Sequence, residues 1–284
     1  MSAIDDFKRQ YKEGGIVQKL IFWNIGVFIL MFVLEKLLPN IFAIIFPYIA
    51  LSNDGIGGLW KVWTFVTYAF LHAGIWHLIL NMIVLNFIGQ LFATYFNQKQ
   101  FFTVYLLGAI GGAIFFILSS FVFPVGNVLV GASAAVMAPM IGLAYYSPSM
   151  EIRLALIGRV KMWHIAACIV LIDLFQLSST NVGGHIAHLG GALLGIIYVA
   201  QLKRGKDLSR IFDSLVNMSR KSKGTSFKKV YVNKEKEDKR TSHLNNDEKD
   251  RQKQIDTILD KISKSGYDSL TAEEKEFLFK VGKE

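Results

Sequence analysis

Residues 20–38 read LIFWNIGVFILMFVLEKLL, an apolar run whose charged side chains, Glu35 and Lys36, stand near its end. A bilayer core of about 30 Å requires roughly 20 apolar residues for one helical crossing. The run therefore predicts a membrane-spanning helix. It is too long for the core of a signal peptide and has no small-residue cleavage site, so we interpret it as a retained anchor.

Further apolar segments extend this prediction to six membrane spans. The five that follow the anchor cover residues 75–96, 101–122, 132–147, 162–178 and 184–202. The fourth span is interrupted by Pro139 and the fifth by Asp173. Because broken spans are tolerated only where protein surrounds them, these two are expected to be central. The predicted fold is an all-α polytopic membrane protein.

Charge is distributed unevenly along the chain. The 284 residues are 52% hydrophobic and 19% charged, against about 25% charged in a typical soluble domain. Residues 203–284 hold 21 of the 31 Lys and Arg and 15 of the 22 Asp and Glu. We therefore predict a membrane domain that carries a polar tail. Despite the net charge of +9, no nucleic-acid partner is expected, since no stacking or base-reading motif is present.

This pattern predicts four parts of the chain. Residues 1–19 form an N-terminal segment, 20–202 the membrane domain, 203–250 a basic polar linker and 251–284 a small helical hairpin. Helical spacing of apolar residues in the hairpin, with Gly266 as a stop, supports the last division. The hairpin is suited to docking an unknown cytoplasmic partner.

Basic residues fall mainly on one side of the predicted spans. They precede the first span, follow the second and fourth, and open the tail. The positive-inside rule then places both termini in the cytoplasm and predicts a multi-pass protein of the cell membrane. In this topology the second, fourth and sixth spans begin at the outer face. Residues 39–74, too long for a turn and rich in aromatic side chains, predict a folded element at the outer interface.

Polar residues near the starts of the even-numbered spans carry the chemistry. His77, Ser133 and His188 all fall within the first turns of those spans. All three are therefore expected at one shallow depth that outside water can reach. Gly191 and Gly195 form a small face one turn below His188, which lets helix backbones approach closely. A serine hydroxyl becomes a nucleophile when a base within hydrogen-bond reach takes its proton.

His77 and Asn81 are four residues apart and project from the same helix face. Both side chains can donate hydrogen bonds without a permanent charge, as an oxyanion site requires. The alternative interpretation is an interhelical hydrogen bond without a catalytic role, and the spacing alone leaves both open.

A metal site and a proton transporter are competing interpretations of the histidines. His72, His77, His185 and His188 offer four imidazoles. However, no H-E-x-x-H motif is present, so a metalloprotease would lack its general base. We expect no metal and no cofactor.

These motifs together resemble the rhomboid intramembrane serine proteases in their basic six-helix form, over roughly residues 15–203. The family's G-x-S matches Gly131-Ala132-Ser133, and its H-x-x-x-N matches His77 to Asn81. Its A-H-x-x-G-x-x-x-G matches Ala187-His188 with Gly191 and Gly195. The three motifs occur in family order on the second, fourth and sixth spans.

The resemblance implies a six-helix rhomboid-like bundle that cleaves transmembrane substrates near the outer face. It assigns Ser133 as nucleophile and His188 as general base, with His77, Asn81 and the Ser133 backbone N–H at the oxyanion. It implies a dyad without a carboxylate, so Asp173 has no assigned role. His185, which follows Gly183 and Gly184, is expected at the water-exposed mouth of the cavity. The alternative is a catalytically inactive rhomboid-like protein that binds membrane clients.

This sequence departs from the family pattern at three positions. Ala134 replaces the glycine after the serine, and Met137 replaces a tyrosine that stacks on the catalytic histidine. The Trp-Arg pair of the first loop appears as Trp63-Thr64, with Lys61 as the nearest cation. The last change is expected to affect the loop's anchoring but not the chemistry.

Overall fold

A computed structural model describes residues 3–53, 60–123, 125–154, 157–178, 181–210 and 242–281. The chain divides into two compact units, residues 1–222 and 223–284. Most of the predicted linker, residues 211–241, lies outside the described residues.

The first unit is built from helices. In chain order they are α1 (Ala3–Glu13), α2 (Ile16–Leu37), α3 (Pro39–Ile49), α4 (Thr64–Thr67), α5 (Ile75–Phe92), α6 (Gln98–Ser119), α7 (Ser133–Tyr146), α8 (Met162–Phe175) and α9 (Val182–Lys203). Of these, α2, α5, α6 and α9 are long and apolar enough to cross a membrane, while α3, α7 and α8 are shorter apolar helices. The all-α membrane bundle predicted from sequence is confirmed.

Helix α7 lies at the centre of the bundle. Every residue from Ala134 to Ala144 is buried. Glycines on the neighbouring helices make this packing possible, because a β-carbon at Gly195 would overlap the Ala138 carbonyl and one at Gly108 would lie 2.5 Å from the Ala138 β-carbon. Small residues of this kind let membrane helices approach closely. The central position expected for the fourth span is therefore observed.

The same expectation is wrong for the fifth span. Helix α8 buries only Met162, Ala166 and Asp173 among its 14 residues. Asp173 interrupts the apolar run because it faces the bundle interior from a peripheral helix, not because the helix itself is central.

The loop predicted to fold between the first two spans contains α3, α4 and a 3-10 turn over Tyr68–Phe70. Its side chains cap the end of α3: Trp63 Nε1 donates to the Tyr48 carbonyl at 2.6 Å, and Lys61 Nζ donates to the Pro47 carbonyl at 3.0 Å. Lys61, the cation nearest to Trp63-Thr64, thus anchors the loop.

Two short antiparallel strand pairs, not predicted from the sequence, complete the first unit. β1 (Leu51–Ser52) pairs with β2 (Val128–Leu129), and β3 (Glu151–Leu154) pairs with β4 (Gly158–Lys161). The first pair joins the loop after α3 to the segment that leads into α7. It therefore supports the backbone immediately before Ser133.

The second unit is described from residue 242 onward. Helix α10 (Ser242–Ser265) ends at Gly266, which has a φ of +76°, and α11 (Ala272–Val281) follows a 3-10 turn. Glu274 accepts from the Thr271 backbone N–H at 2.8 Å and from Lys261 Nζ at 2.9 Å, which joins the two helices. The hairpin was predicted to begin at residue 251, but helix α10 begins at Ser242, inside the stretch predicted as linker.

Candidate active site

Ser133 is the first residue of α7, and a fixed turn presents its side chain. Gly131 has a φ of +130°, a backbone conformation that favours glycine. The Gly131 backbone N–H donates to the Tyr68 carbonyl at 3.1 Å, and the β1–β2 pair holds the preceding residues. The position of Ser133 is therefore set by backbone contacts on both sides of the turn.

His188 lies in the second turn of α9 and contacts Ser133 directly. The distance between His188 Nε2 and Ser133 Oγ is 2.7 Å. This approach depends on close helix packing, because a β-carbon at Gly191 would overlap the Ala134 carbonyl. Both side chains are half-buried, so the pair lies inside the bundle and remains partly accessible from outside the protein. The structure brings together the two residues that the sequence predicted as a dyad.

A carboxylate completes this arrangement, contrary to the sequence analysis. Asp173 Oδ1 lies 2.9 Å from His188 Nδ1 and 2.8 Å from His185 Nδ1. The dyad without a carboxylate that the resemblance implied is therefore an incomplete description of this site, because Asp173, which had no assigned role, also contacts His188. Asp173 stands in the last turn of α8, and α8 ends on the side of the bundle where α9 begins, only nine residues of chain separating Phe175 from His185. The depth argument used for the even-numbered spans applies equally to the end of an odd-numbered span.

The location expected for His185 is also wrong. Its side chain is not at a wet cavity mouth but is buried, with 9% of the residue exposed. Its ring lies edge-on to the His188 ring, with 5.8 Å between the centroids. His185 is therefore part of the polar cluster behind the serine–histidine pair.

His77 borders the space next to Ser133. A β-carbon built at Gly131 would lie 2.9 Å from His77 Nε2 and 3.6 Å from Ser133 Oγ. The Ala73 backbone N–H donates to His77 Nδ1 in a long contact of 3.5 Å. Because Nδ1 accepts, a neutral ring carries its proton on Nε2, the nitrogen beside Gly131. His77 Nε2–H is thus a hydrogen-bond donor beside the space left by the missing side chain of Gly131.

His72 lies in the loop before α5, with its ring centroid 5.1 Å from that of His77. Burial, followed by the neighbouring His77 ring, lowers the pKa of His72 to about 4. At neutral pH its imidazole is therefore uncharged and adds no positive charge beside His77.

Asn81 is buried one turn further along α5, and its amide donates to the His77 carbonyl at 2.8 Å. This contact uses one of the two N–H bonds of the amide. It holds Asn81 on the face of α5 that carries His77, and the second N–H is left for another acceptor.

Ligand-type side chains cluster at one place among the residues that the structure describes. Asp173, His185 and His188 have ligand atoms within 4.8 Å of one another. This cluster differs from the four imidazoles considered from the sequence. It contains His185 and His188 but neither His72, in the loop before α5, nor His77, on α5.

The fold and this cluster together define a polytopic helical membrane protein with a hydrogen-bonded serine–histidine pair inside the bundle. The rhomboid domain family matches residues 59–205, just over half of the chain. The chain belongs to the rhomboid family.

Curated relatives agree with this assignment. RHOMBOID-like protein 12, mitochondrial, of Arabidopsis thaliana is 29% identical over 211 residues, which cover 68% of this chain and 60% of that protein. Rhomboid protein 1, mitochondrial, of Saccharomyces cerevisiae is 27% identical over 64% of this chain and 52% of its own length. Rhomboid-like protease 3 of Toxoplasma gondii is 30% identical over 54% of this chain and 56% of its own. The chain thus spans little more than half the length of these relatives.

The second unit matches a different family. Residues 242–283 correspond to a family of unknown function, DUF6576. This range coincides closely with the part of the tail described as α10 and α11.

Proposed function

We propose that this protein is an intramembrane serine endopeptidase that hydrolyses peptide bonds of transmembrane substrates through Ser133 and His188. The observation that carries the proposal is the 2.7 Å contact between Ser133 Oγ and His188 Nε2. A base within hydrogen-bond reach is the requirement for activating a serine. Membership of a family in which the Toxoplasma relative is named a protease supports the same reaction.

The proposed reaction proceeds in two halves. Ser133 Oγ bonds to the scissile carbonyl carbon while its proton moves to His188 Nε2, and His188 then gives that proton to the leaving amine as the C–N bond breaks. In the second half, water loses a proton to His188 and its oxygen attacks the acyl carbon. The bond to Ser133 then breaks, and the proton returns to Ser133 Oγ.

Three donors are proposed to stabilise the oxyanion. The first is the backbone N–H of Ser133, which has no intrahelical partner because it belongs to the first turn of α7. The second is the His77 ring beside Gly131, and the third is the free N–H of the Asn81 amide. Donors fixed before the reaction stabilise developing charge most effectively in a water-poor site.

Replacing Asn81 by alanine is expected to lower kcat by about 100- to 1000-fold, the range for one lost oxyanion donor. His77→Ala should act similarly, and the double variant should lose less than the product of the two effects, because both donors serve one charge. Steady-state cleavage of a reconstituted transmembrane substrate measures this. A large fall in the Asn81→Ala unfolding temperature with kcat intact would instead favour a purely interhelical role.

The proposed setting follows the charge pattern of the chain. We infer a multi-pass cell-membrane protein with both termini in the cytoplasm, lipid and transmembrane proteins as its partners, and a tail that docks a cytoplasmic partner. A reporter enzyme that is active only in the cytoplasm should be active when fused after Glu284, and one that is active only outside the membrane should not. Activity of an outer-face reporter there would overturn this topology.

A fluorophosphonate probe tests the proposed function directly. An activated serine forms a covalent bond to phosphorus and expels fluoride, so the detergent-purified full chain should be labelled at Ser133. Ser133→Ala should remove the label, while Ser119→Ala should keep it, since Ser119 Oγ donates to the Phe116 carbonyl within α6. A folded wild-type protein without label would favour the inactive, client-binding alternative.

A further inference from the structure

Asp173 is a carboxylate in an unusual place. It is 3% exposed, and its Oδ1 atom contacts the Nδ1 atoms of both His185 and His188. Ionisable groups inside a membrane bundle cost several kcal/mol unless they are paired. A carboxylate kept at this position is therefore compensated by these two rings, one of which also contacts Ser133.

The charge state of Asp173 decides which nitrogen of His188 is free to accept a proton. An ionised carboxylate only accepts hydrogen bonds. With Asp173 ionised, as the proposed role requires, both Nδ1 atoms carry hydrogen in their contacts with Asp173 Oδ1. In neutral His188 this leaves Nε2 unprotonated, and Nε2 is the atom 2.7 Å from Ser133 Oγ. The carboxylate thus selects the form of His188 that can take the serine proton.

We propose that Asp173 is a positioning residue for His188 and that His185 holds Asp173 in place. This inference rests on the proposed endopeptidase function. When His188 takes the proton of Ser133 it becomes an imidazolium, and Asp173 stabilises that charge without itself taking a proton. The site is then a serine–histidine–aspartate arrangement with a second histidine behind it.

His185 contributes through the carboxylate and not through the serine. It stands three residues before His188 on α9, and its Nδ1 shares the same Oδ1 atom. Two donors from one helix restrict the rotation of the Asp173 side chain. The ring plane of His188 is consequently fixed by contacts at both of its nitrogens.

The test is Asp173→Asn in the full-length protein, reconstituted with a transmembrane substrate. We expect kcat per fluorophosphonate-titrated site to fall about 100-fold or more, since the same change in other serine–histidine–aspartate enzymes costs up to about 10⁴-fold. KM and the thermal unfolding midpoint should stay unchanged. Asp173→Glu keeps the charge but displaces it, so it should recover part of the loss and still remain at least about threefold below wild type.

Asp207→Asn is the matched control. Asp207 accepts from Gln100 Nε2 at 2.9 Å and from the Ser209 backbone N–H at 2.9 Å, so it also joins separate segments through a carboxylate. It lies beyond the C-terminal end of α9, away from the serine. Its replacement is expected to leave kcat unchanged.

Three results would overturn the inference. The first is wild-type kcat in Asp173→Asn, or in Asp173→Glu should the Asn variant not fold. The second is a fall in the unfolding midpoint of Asp173→Asn with kcat per titrated site intact. The third is one zinc per chain in purified wild type that Asp173→Asn loses, which would make the cluster a metal site. A wild-type protein with neither label nor cleavage overturns the proposed function itself. Labelled, active wild type with an unaffected Asp173→Asn overturns only the inference.

Discussion

Ser133→Ala is expected to abolish cleavage of a transmembrane substrate, lowering kcat by about 10⁶-fold, as in serine proteases that lose their nucleophile. The physical reason is that alanine leaves no atom to form the acyl intermediate, while the partner base, His188, keeps its place. The measurement is gel-based cleavage of a reconstituted substrate, followed long enough to detect about 0.1% of wild-type activity. This detection limit is well above the residual activity expected of the variant.

The fold should survive this change, because the substitution removes one half-buried oxygen from a helix packed through Ala134 to Ala144. Ser119→Ala is again the control, since it removes a serine hydroxyl at the end of α6. A well-folded Ser133→Ala preparation that retained a tenth of wild-type cleavage would show that another nucleophile does the work.

The helices and the shared depth of Ser133 and His188 could be predicted from the sequence for one physical reason. Apolar length and basic loops predict where each span begins, and depth follows from direction. Ser133 and His188 were therefore expected in one layer, the family resemblance paired them as a dyad, and they lie 2.7 Å apart. Gly191 strengthened this expectation, because a small face predicts close approach of α9, and it faces Ala134 in the structure.

Asp173 was missed because the same depth reasoning was applied only to helix starts. A residue in the last turn of the fifth span reaches the same depth as one in the first turns of the sixth. The signal was present as a carboxylate 15 residues before His188 on the preceding helix. The exposure of His185 was also misjudged, since the nearby glycines suggested a wet edge, whereas pairing with Asp173 allows the ring to be buried.

Features that depend on tertiary contacts were not predictable. The β1–β2 pair has two residues in each strand and joins segments more than 70 residues apart, so no local periodicity marks it. Gly131 likewise combines a φ of +130° with a hydrogen bond to the carbonyl of Tyr68, which is distant in sequence. Such contacts set the geometry of the serine turn, and a motif of Gly-x-Ser alone does not contain them.

The choice between His185 and His188 as base can now be argued from contacts. They stand three residues apart and differ by about 60° around α9, so spacing alone does not separate them. Of the two, His188 contacts both Ser133 and Asp173, whereas the described contacts of His185 run to Asp173 and to the His188 ring. His188 is therefore expected to be the base, and His185 to act only through the carboxylate.

His188→Ala should accordingly be as inactive as Ser133→Ala, and the double variant no worse, because the two side chains act as one unit. His185→Ala should keep measurable cleavage, with kcat lowered less than in Asp173→Asn, because His185 acts only through the carboxylate. Parallel kcat measurements on preparations with matched unfolding temperatures decide this. Near-normal activity in His188→Ala, with none in His185→Ala, would mean that the base is the histidine one turn earlier.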